Sequence, residues 1–148
     1  MSLTIRPIQK ADEPEWRRLW TAYLTFYETS VAEDVYQTTF KRLLSGGEHE
    51  YRGFLAEVDG KPVGLAHYLF HRHCWTIADT CYLQDLYADP EIRGQGIGRA
   101  LIEAVHMEAT KVGSQYVYWT TAHDNETARK LYDRIGELTP FIEYLKMV

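Results

Sequence analysis

Residues 93–98 read RGQGIG, and this stretch decides the fold. It follows an apolar run at 81–88, CYLQDLYA, and a turn at Asp89-Pro90, and it opens a long amphipathic segment at 96–111. Glycines at alternate positions let the backbone come close to a ligand. The free N–H groups in the first turn of a helix then point at an anion. The pattern predicts a strand, a phosphate-binding loop at 93–98 (the glycine loop) and a helix. The alternative is that residues 93–98 form only a flexible turn before the helix.

The spacing of the glycines narrows the kind of phosphate ligand. A dinucleotide fingerprint needs a third glycine where this chain has Arg99. A P-loop ends in Gly-Lys-Ser/Thr, whereas the chain has Gly98-Arg99-Ala100. Arg93, Gly96 and Gly98 do form the pattern R-x-x-G-x-G. This pattern resembles the acetyl-coenzyme A signature of the GCN5-related N-acetyltransferases (GNAT family).

The resemblance extends over nearly the whole chain. The apolar run, the glycine loop and its helix are followed by GSQYVYWTT at 113–121 and by a helix that starts at Asn125 and contains Tyr132, as in the family. The segments EWRRLWTAYLTFYETS at 15–30 and VYWTT at 117–121 look like the yeast Hpa-type branch. LQDLY at 83–87 is similar to the diamine acetyltransferases. The implied fold is α+β: a mostly antiparallel twisted sheet, about four flanking helices and splayed strands that hold the cofactor.

The resemblance implies acetyl-CoA as co-substrate and places its pantetheine arm along residues 86–88. Asn125 is a common helix N-cap residue, and the family adds a pantetheine contact at this position. The cofactor-binding positions implied are Leu86, Tyr87, Ala88, Arg93, Gly94, Gln95, Gly96, Ile97, Gly98, Arg99, Asn125 and Ala128.

Tyr132 matches the general acid of the family, which protonates the departing thiolate. The base is less defined, because Gln84 stands where the diamine acetyltransferases have a Glu, and an amide cannot take up the proton of the amine. Asp85 is adjacent, but strand alternation points it to the opposite face. Glu28 and His123 are the other candidates for the base. Tyr27 and Glu28 match a Tyr-Glu pair that holds an ammonium group through charge and cation–π contact. We therefore expect acceptor binding from Tyr27, Glu28, Gln84 and Asp85.

Composition limits the remaining possibilities. With 148 residues, the chain predicts one domain, 1–148. Its net charge of −5 argues against nucleic acid and favours a cationic acceptor. The N-terminal sequence has no apolar signal region, and no run reaches the length of a membrane span. Cys74 and Cys81 lack a CxxC spacing, so free thiols and a cytoplasmic location are expected.

Periodicity predicts the elements around the glycine loop. Helices are expected at 12–27 and 35–44, and a hairpin joins 53–58 to 62–70 through Asp59-Gly60, the dipeptide of a type I′ turn. Only one strand, 141–147, fits after the last helix, whereas the family often has two there. Its edge would be bare in a monomer, so we expect a homodimer.

Three functions remain open at this stage. A small-amine, polyamine or amino acid N-acetyltransferase is favoured. A protein or histone lysine acetyltransferase and a non-catalytic acyl-CoA-binding module are the alternatives. His67, His71, His73 and Cys74 match no closed zinc pattern, so we predict no metal site.

Overall fold

A computed structural model describes residues 2–92 and 94–148 of the chain. The elements follow one another as β1 (Leu3–Pro7), a 3-10 turn (Lys10–Asp12), α1 (Glu13–Phe26), α2 (Glu33–Ser45), β2 (Arg52–Val58), β3 (Lys61–His71), β4 (Thr80–Ala88), α3 (Ile97–Lys111), β5 (Val117–Tyr118) and α4 (Glu126–Ile135). The five strands form one sheet in the order β1-β2-β3-β4-β5. All neighbours are antiparallel except β4 and β5, which are parallel. The expected α+β fold is confirmed.

Each face of the sheet is covered by helices. On one face, α1 and α2 bury Trp16, Leu19 and Phe40 against the sheet. On the other, α3 buries Ile97, Leu101 and Val105. All three helices carry buried apolar residues at the three- or four-residue spacing that aligns one face of a helix. In the described part of the chain, no helix is long and apolar enough to cross a membrane.

Two turns have the left-handed backbone conformation that their residues favour. Asp59 and Gly60 both have positive φ, 51° and 81°, which is the type I′ geometry predicted for this hairpin. Gly113 has φ of 80° and lies just after the end of α3, where a left-handed residue terminates the helix.

A β-bulge interrupts β4 at Gln84. His67 of β3 pairs with Asp85, whereas its neighbour Tyr68 pairs with Leu83, so Gln84 is the extra residue. Leu83 and Leu86 consequently pack into the same core although they are three positions apart, an odd spacing that would place them on opposite faces of a regular strand. Gln84 is exposed, and Asp85 faces α1.

The C-terminal segment departs from the sequence prediction. Residues 137–148 form no strand and their side chains are exposed. The segment 141–147 alternates poorly between polar and apolar residues and pairs with no strand in the described chain, so propensity alone does not make it part of the sheet.

Candidate functional site

The glycine loop lies between the end of β4 and the start of α3. Gly94 and Gly96 both have left-handed backbone, with φ of 74° and 70°, a conformation that costs any residue with a side chain. A Cβ atom at either glycine would meet no heavy atom within 4 Å. The backbone conformation therefore demands glycine, and the space above the loop is open. Arg93 lies outside the described residues.

The first turn of α3 has the character of an anion site. Gly96 is the N-cap and supplies no side chain to satisfy the first N–H groups; no acidic residue lies in that turn. The positive end of the helix dipole is thus left without a local carboxylate. Ile97 is buried in the core, which fixes the helix start, whereas Gln95 and Arg99 are exposed beside the loop.

The edge of β4 is open beside this loop. β5 pairs with β4 only at Cys81 and Tyr82, so from Leu83 onward β4 pairs with β3 alone. The Asp89 N–H donates to the Val63 carbonyl at 2.8 Å. Because backbone amides alternate between the two sides of a strand, Tyr87 also faces β3, and the amides of Leu86 and Ala88 face the open edge. The splayed strands expected from the sequence are present.

A cleft of about 20 Å³ lies at the open edge. Its walls come from α1, β4, the segment after β5 and α4. They consist of Tyr23, Tyr27, Leu83, Gln84, Leu86, Trp119, Thr120 and Tyr132. Gln84 reaches the cleft because the bulge turns it out of the sheet. Glu28, by contrast, is exposed in a left-handed conformation with φ of 57° and does not line the cleft.

Tyr132 is held in place by an aromatic contact. Its ring lies 5.4 Å from that of Trp119 in an edge-on arrangement. Burial, with a smaller contribution from Tyr27, raises the pKa of Tyr132 to about 12. The phenol therefore remains an O–H donor at physiological pH.

Asn125 begins α4 as its N-cap, as its sequence position predicts. Its side-chain oxygen accepts from the Ala128 N–H at 3.4 Å, and its amide nitrogen donates to Thr121 Oγ1 at 3.3 Å. Gly98 links this helix to the glycine loop, since a Cβ at Gly98 would lie 3.4 Å from Leu131 of α4. The loop, the open strand edge and Tyr132 thus belong to one region of the surface.

A buried polar chain runs beneath the cleft. Trp16 Nε1 donates to His67 Nε2 at 2.9 Å, and His67 Nδ1 lies 2.8 Å from Asp85 Oδ2. Trp20 Nε1 donates to the same carboxylate oxygen at 3.2 Å, and the Tyr23 hydroxyl also interacts with this carboxylate. Burial favours a higher pKa for Asp85, but the interactions with His67, Tyr23 and Trp20 outweigh it and hold this pKa below its usual value.

Sequence reasoning missed this chain. It depends on the cross-strand pair of His67 and Asp85. These two residues become neighbours only in the register in which β3 pairs with β4. The signal available in the sequence was a histidine inside one apolar strand run and an aspartate inside the next.

The other histidines lie apart from this chain. His71 Nε2 lies 2.6 Å from the Tyr118 hydroxyl, and His73 packs against Trp75. Within residues 2–92 and 94–148, no group of three or more His, Cys, Asp or Glu side chains is arranged to hold a metal ion.

Comparison with known proteins places this chain in a family. Residues 13–136 match the model of the acetyltransferase (GNAT) family. The D-amino-acid N-acetyltransferase HPA3 of Saccharomyces cerevisiae is 33% identical over 143 residues, which cover 96% of this chain and 89% of the yeast protein.

Solved structures show the same fold at lower identity. The aminoglycoside acetyltransferase AAC(6')-Iy, in complex with a CoA bisubstrate analogue, superposes with a TM-score of 0.86 at 20% identity and covers 100% of this chain and 99% of its own. The ribosomal-protein-alanine N-acetyltransferase of Brucella melitensis biovar Abortus 2308 gives 0.82 at 22% identity, with 100% of both chains covered.

Proposed function

The chain belongs to the GNAT family of acetyltransferases, and from this premise we propose that it moves an acetyl group from acetyl-CoA to the amine of a small molecule. One observation carries the proposal. Leu86 on the open edge of β4 and Tyr132 of α4 line one cleft, and the helix start that follows the glycine loop packs beside α4, with a Cβ at Gly98 3.4 Å from Leu131. An anion-binding loop alone would suit many ligands, but a thioester acyl donor also needs oxyanion and thiolate partners.

The residues of the site fit acetyl-CoA. The pyrophosphate would be held by the backbone from Gly94 to Gly98, where left-handed glycines and the α3 dipole favour negative charge. Exposed Arg99 adds positive charge at the same place. The pantetheine arm, which carries amide groups, would bind along the open edge of residues 86–88, with Asn125 and Ala128 at the adjoining end of α4.

The transfer proceeds by direct attack. The neutral amine attacks the thioester carbonyl carbon, a C–N bond forms, and the C–S bond breaks. The amine proton leaves to solvent, because the Gln84 amide in the cleft cannot accept it. A backbone N–H on the open side of β4, from Leu86 or Ala88, stabilises the carbonyl oxygen as it gains charge.

Tyr132 protonates the departing thiolate. With a phenol pKa of about 12 and a thiol pKa of about 8.5, complete proton transfer is uphill by roughly 5 kcal/mol. The proton therefore moves as the C–S bond breaks and negative charge accumulates on sulfur, rather than in a separate step.

The narrow cleft favours a small acceptor. Four of its eight lining residues are aromatic, and one of these, Tyr27, is partly exposed. The net charge of −5 favours cationic acceptors. The 33% identity with the yeast D-amino-acid enzyme makes free amino acids the first class to test.

Thiol release from acetyl-CoA tests the proposal across acceptor classes. The panel contains D- and L-amino acids, polyamines, aminoglycosides and histone peptides. We expect release with at least one small amine and none with peptides alone. Activity confined to peptides would establish the protein-modifying alternative, and binding of acetyl-CoA without any release would establish the non-catalytic one.

The pH profile should rise through neutrality. For a primary amine with a pKa near 10.4, on the order of one molecule in two thousand is neutral at pH 7. Because Tyr132 keeps its proton up to its raised pKa of about 12, it imposes no fall in rate over this range. We expect kcat/KM of the wild type to climb with pH until the amine is neutral. A plateau at pH 6 to 7 would reveal a protein base, and Gln84→Glu is the variant expected to create such a plateau.

We further propose that the protein is a homodimer. The C-terminal segment 137–148 exposes a series of large apolar side chains, each 78–89% exposed: Leu138, Phe141, Ile142, Tyr144, Leu145 and Met147. So many apolar groups on one extended segment favour a protein partner, and a second copy supplies an identical segment to pair with.

Light scattering at assay concentration should give twice the chain mass. The double variant Phe141→Asp, Leu145→Asp should give the single mass with the same circular dichroism spectrum, because both side chains are exposed in the isolated chain. A wild-type protein of single mass would refute the dimer.

A cytoplasmic location agrees with the cysteines. Cys74 is exposed and Cys81 buried, and both are free thiols. Free thiols persist in reducing compartments.

A further inference from the structure

Asp85 is a buried carboxylate that keeps its negative charge. Its side chain is only 13% exposed, and its oxygen Oδ2 receives hydrogen bonds from Trp20 and His67. These donors favour the ionised form. The carboxylate therefore stays ionised although it is buried.

His67 does not neutralise that charge. The indole N–H of Trp16 is a donor only, so His67 Nε2, 2.9 Å away, must be the acceptor. The single ring proton is then on Nδ1, where it is donated to Asp85. A second proton on Nε2 would oppose the Trp16 N–H. The His67 ring is thus neutral, and the pair carries one net negative charge.

The charge lies beside the end of the cleft that Tyr23 lines. Tyr23 lines the cleft and its hydroxyl interacts with the Asp85 carboxylate. The chain neighbours of Asp85, Gln84 and Leu86, also line it. No Lys, Arg or His is among the lining residues, and the side chains that lower the pKa of Asp85 are His67, Tyr23 and Trp20.

We propose that Asp85, acting through the Tyr23 hydroxyl, makes this end of the cleft a subsite for the ammonium group of the acceptor. Tyr23 donates its proton toward Asp85, so the phenol oxygen presents its lone pairs to the cleft and can accept from an N–H of the ammonium group. Because the Asp85 side chain is only 13% exposed, solvent screens its charge weakly, and the charge stabilises the cation. Asp85 and Tyr23 are positioning residues in this scheme: they capture the acceptor as its abundant cation, and the bound ammonium group loses its proton to solvent before it attacks as the neutral amine.

The inference rests on the proposed function and names what the site selects: the cationic form of an amine rather than a neutral molecule of the same shape. Of two ligands of the same shape, the one with an ammonium group should therefore bind much more tightly than the one with a hydroxyl group. The difference should disappear when the charge of Asp85 is removed while its shape is kept.

The test measures binding of an alkylamine and of the alcohol of the same shape at pH 7. The amine is one that the acceptor panel has identified, and CoA replaces acetyl-CoA so that no transfer occurs. We expect wild type to prefer the amine, and Asp85→Asn to lose at least about tenfold in amine affinity with alcohol affinity unchanged. Tyr23→Phe should lose amine affinity in the same selective way.

Tyr36→Phe is the matched control. Tyr36 packs against Trp16 and Trp20 in the same aromatic group, but its hydroxyl bonds to Thr21 on the outer side of α1. Its removal should leave both affinities unchanged. Equal losses for amine and alcohol in Asp85→Asn would show a merely structural role and overturn the inference, as would an unchanged amine preference.

Failure of the inference is distinguishable from failure of the proposed function. If the panel shows acetyl transfer but Asp85→Asn keeps its preference for the amine, only the ammonium subsite is wrong. If the panel yields no acetylated acceptor, the proposed function itself fails.

Discussion

Gly96→Val is expected to weaken acetyl-CoA binding by about ten- to a hundredfold, the loss of one or two charge-assisted hydrogen bonds. Gly96 has φ of 70° and nothing within 4 Å of its missing side chain. Valine would place two methyl groups in the open space where the pyrophosphate is proposed to bind. It would also pull the backbone out of the left-handed conformation that directs the N–H groups of the loop. Calorimetric titration with acetyl-CoA measures the effect.

Gly46→Val is the matched control for backbone strain. Gly46 has φ of 71°, has nothing within 4 Å of a built Cβ, and terminates α2 outside the glycine loop. Both variants should lose comparable stability, on the order of 1–3 kcal/mol. Only Gly96→Val should lose cofactor affinity. Equal affinity of the two folded variants for acetyl-CoA would show that the glycine loop does not bind the cofactor.

Tyr132→Phe is expected to lower kcat by about a hundredfold or more, within the usual range for a positioned proton donor. Only the hydroxyl is removed, and the edge-on contact with Trp119 is kept, so acetyl-CoA affinity should stay at the wild-type value. Rapid-quench measurement of the first turnover isolates the chemical step from product release.

Tyr68→Phe is the control for loss of a buried phenol. Tyr68 is also buried, and burial raises the pKa of its hydroxyl as it does for Tyr132. It stacks on Phe54, away from the cleft that Tyr132 lines. Its substitution should leave the first turnover unchanged. A Tyr132→Phe enzyme as fast as Tyr68→Phe in that turnover would exclude Tyr132 as the acid.

Local patterns were enough to predict much of the fold. The apolar spacing of α1 and α3, the Asp59-Gly60 turn and the N-cap at Asn125 each depend on residues within one or two turns of the chain. The structure confirms all four, with α1 and α3 ending within one residue of the predicted limits.

Features that depend on pairing between strands could not be predicted in this way. The bulge at Gln84 arises from the register of β3 against β4, and it decides which β4 side chains reach the cleft. The chain from Trp16 through His67 to Asp85 spans three elements, so no sequence spacing marks it. The strand expected at 141–147 was wrong for a related reason, since a strand needs a partner edge and the described chain offers it none.

The central claim concerns acetyl transfer to a small amine. The most direct measurement incubates the wild-type protein with acetyl-CoA and the acceptor panel, and follows both free thiol and the mass of each acceptor. The account predicts that one small amine gains an acetyl group in step with thiol release, and that Tyr132→Phe slows both signals equally. Acetyl-CoA bound tightly, with no acceptor gaining mass and no thiol above the blank, would contradict it.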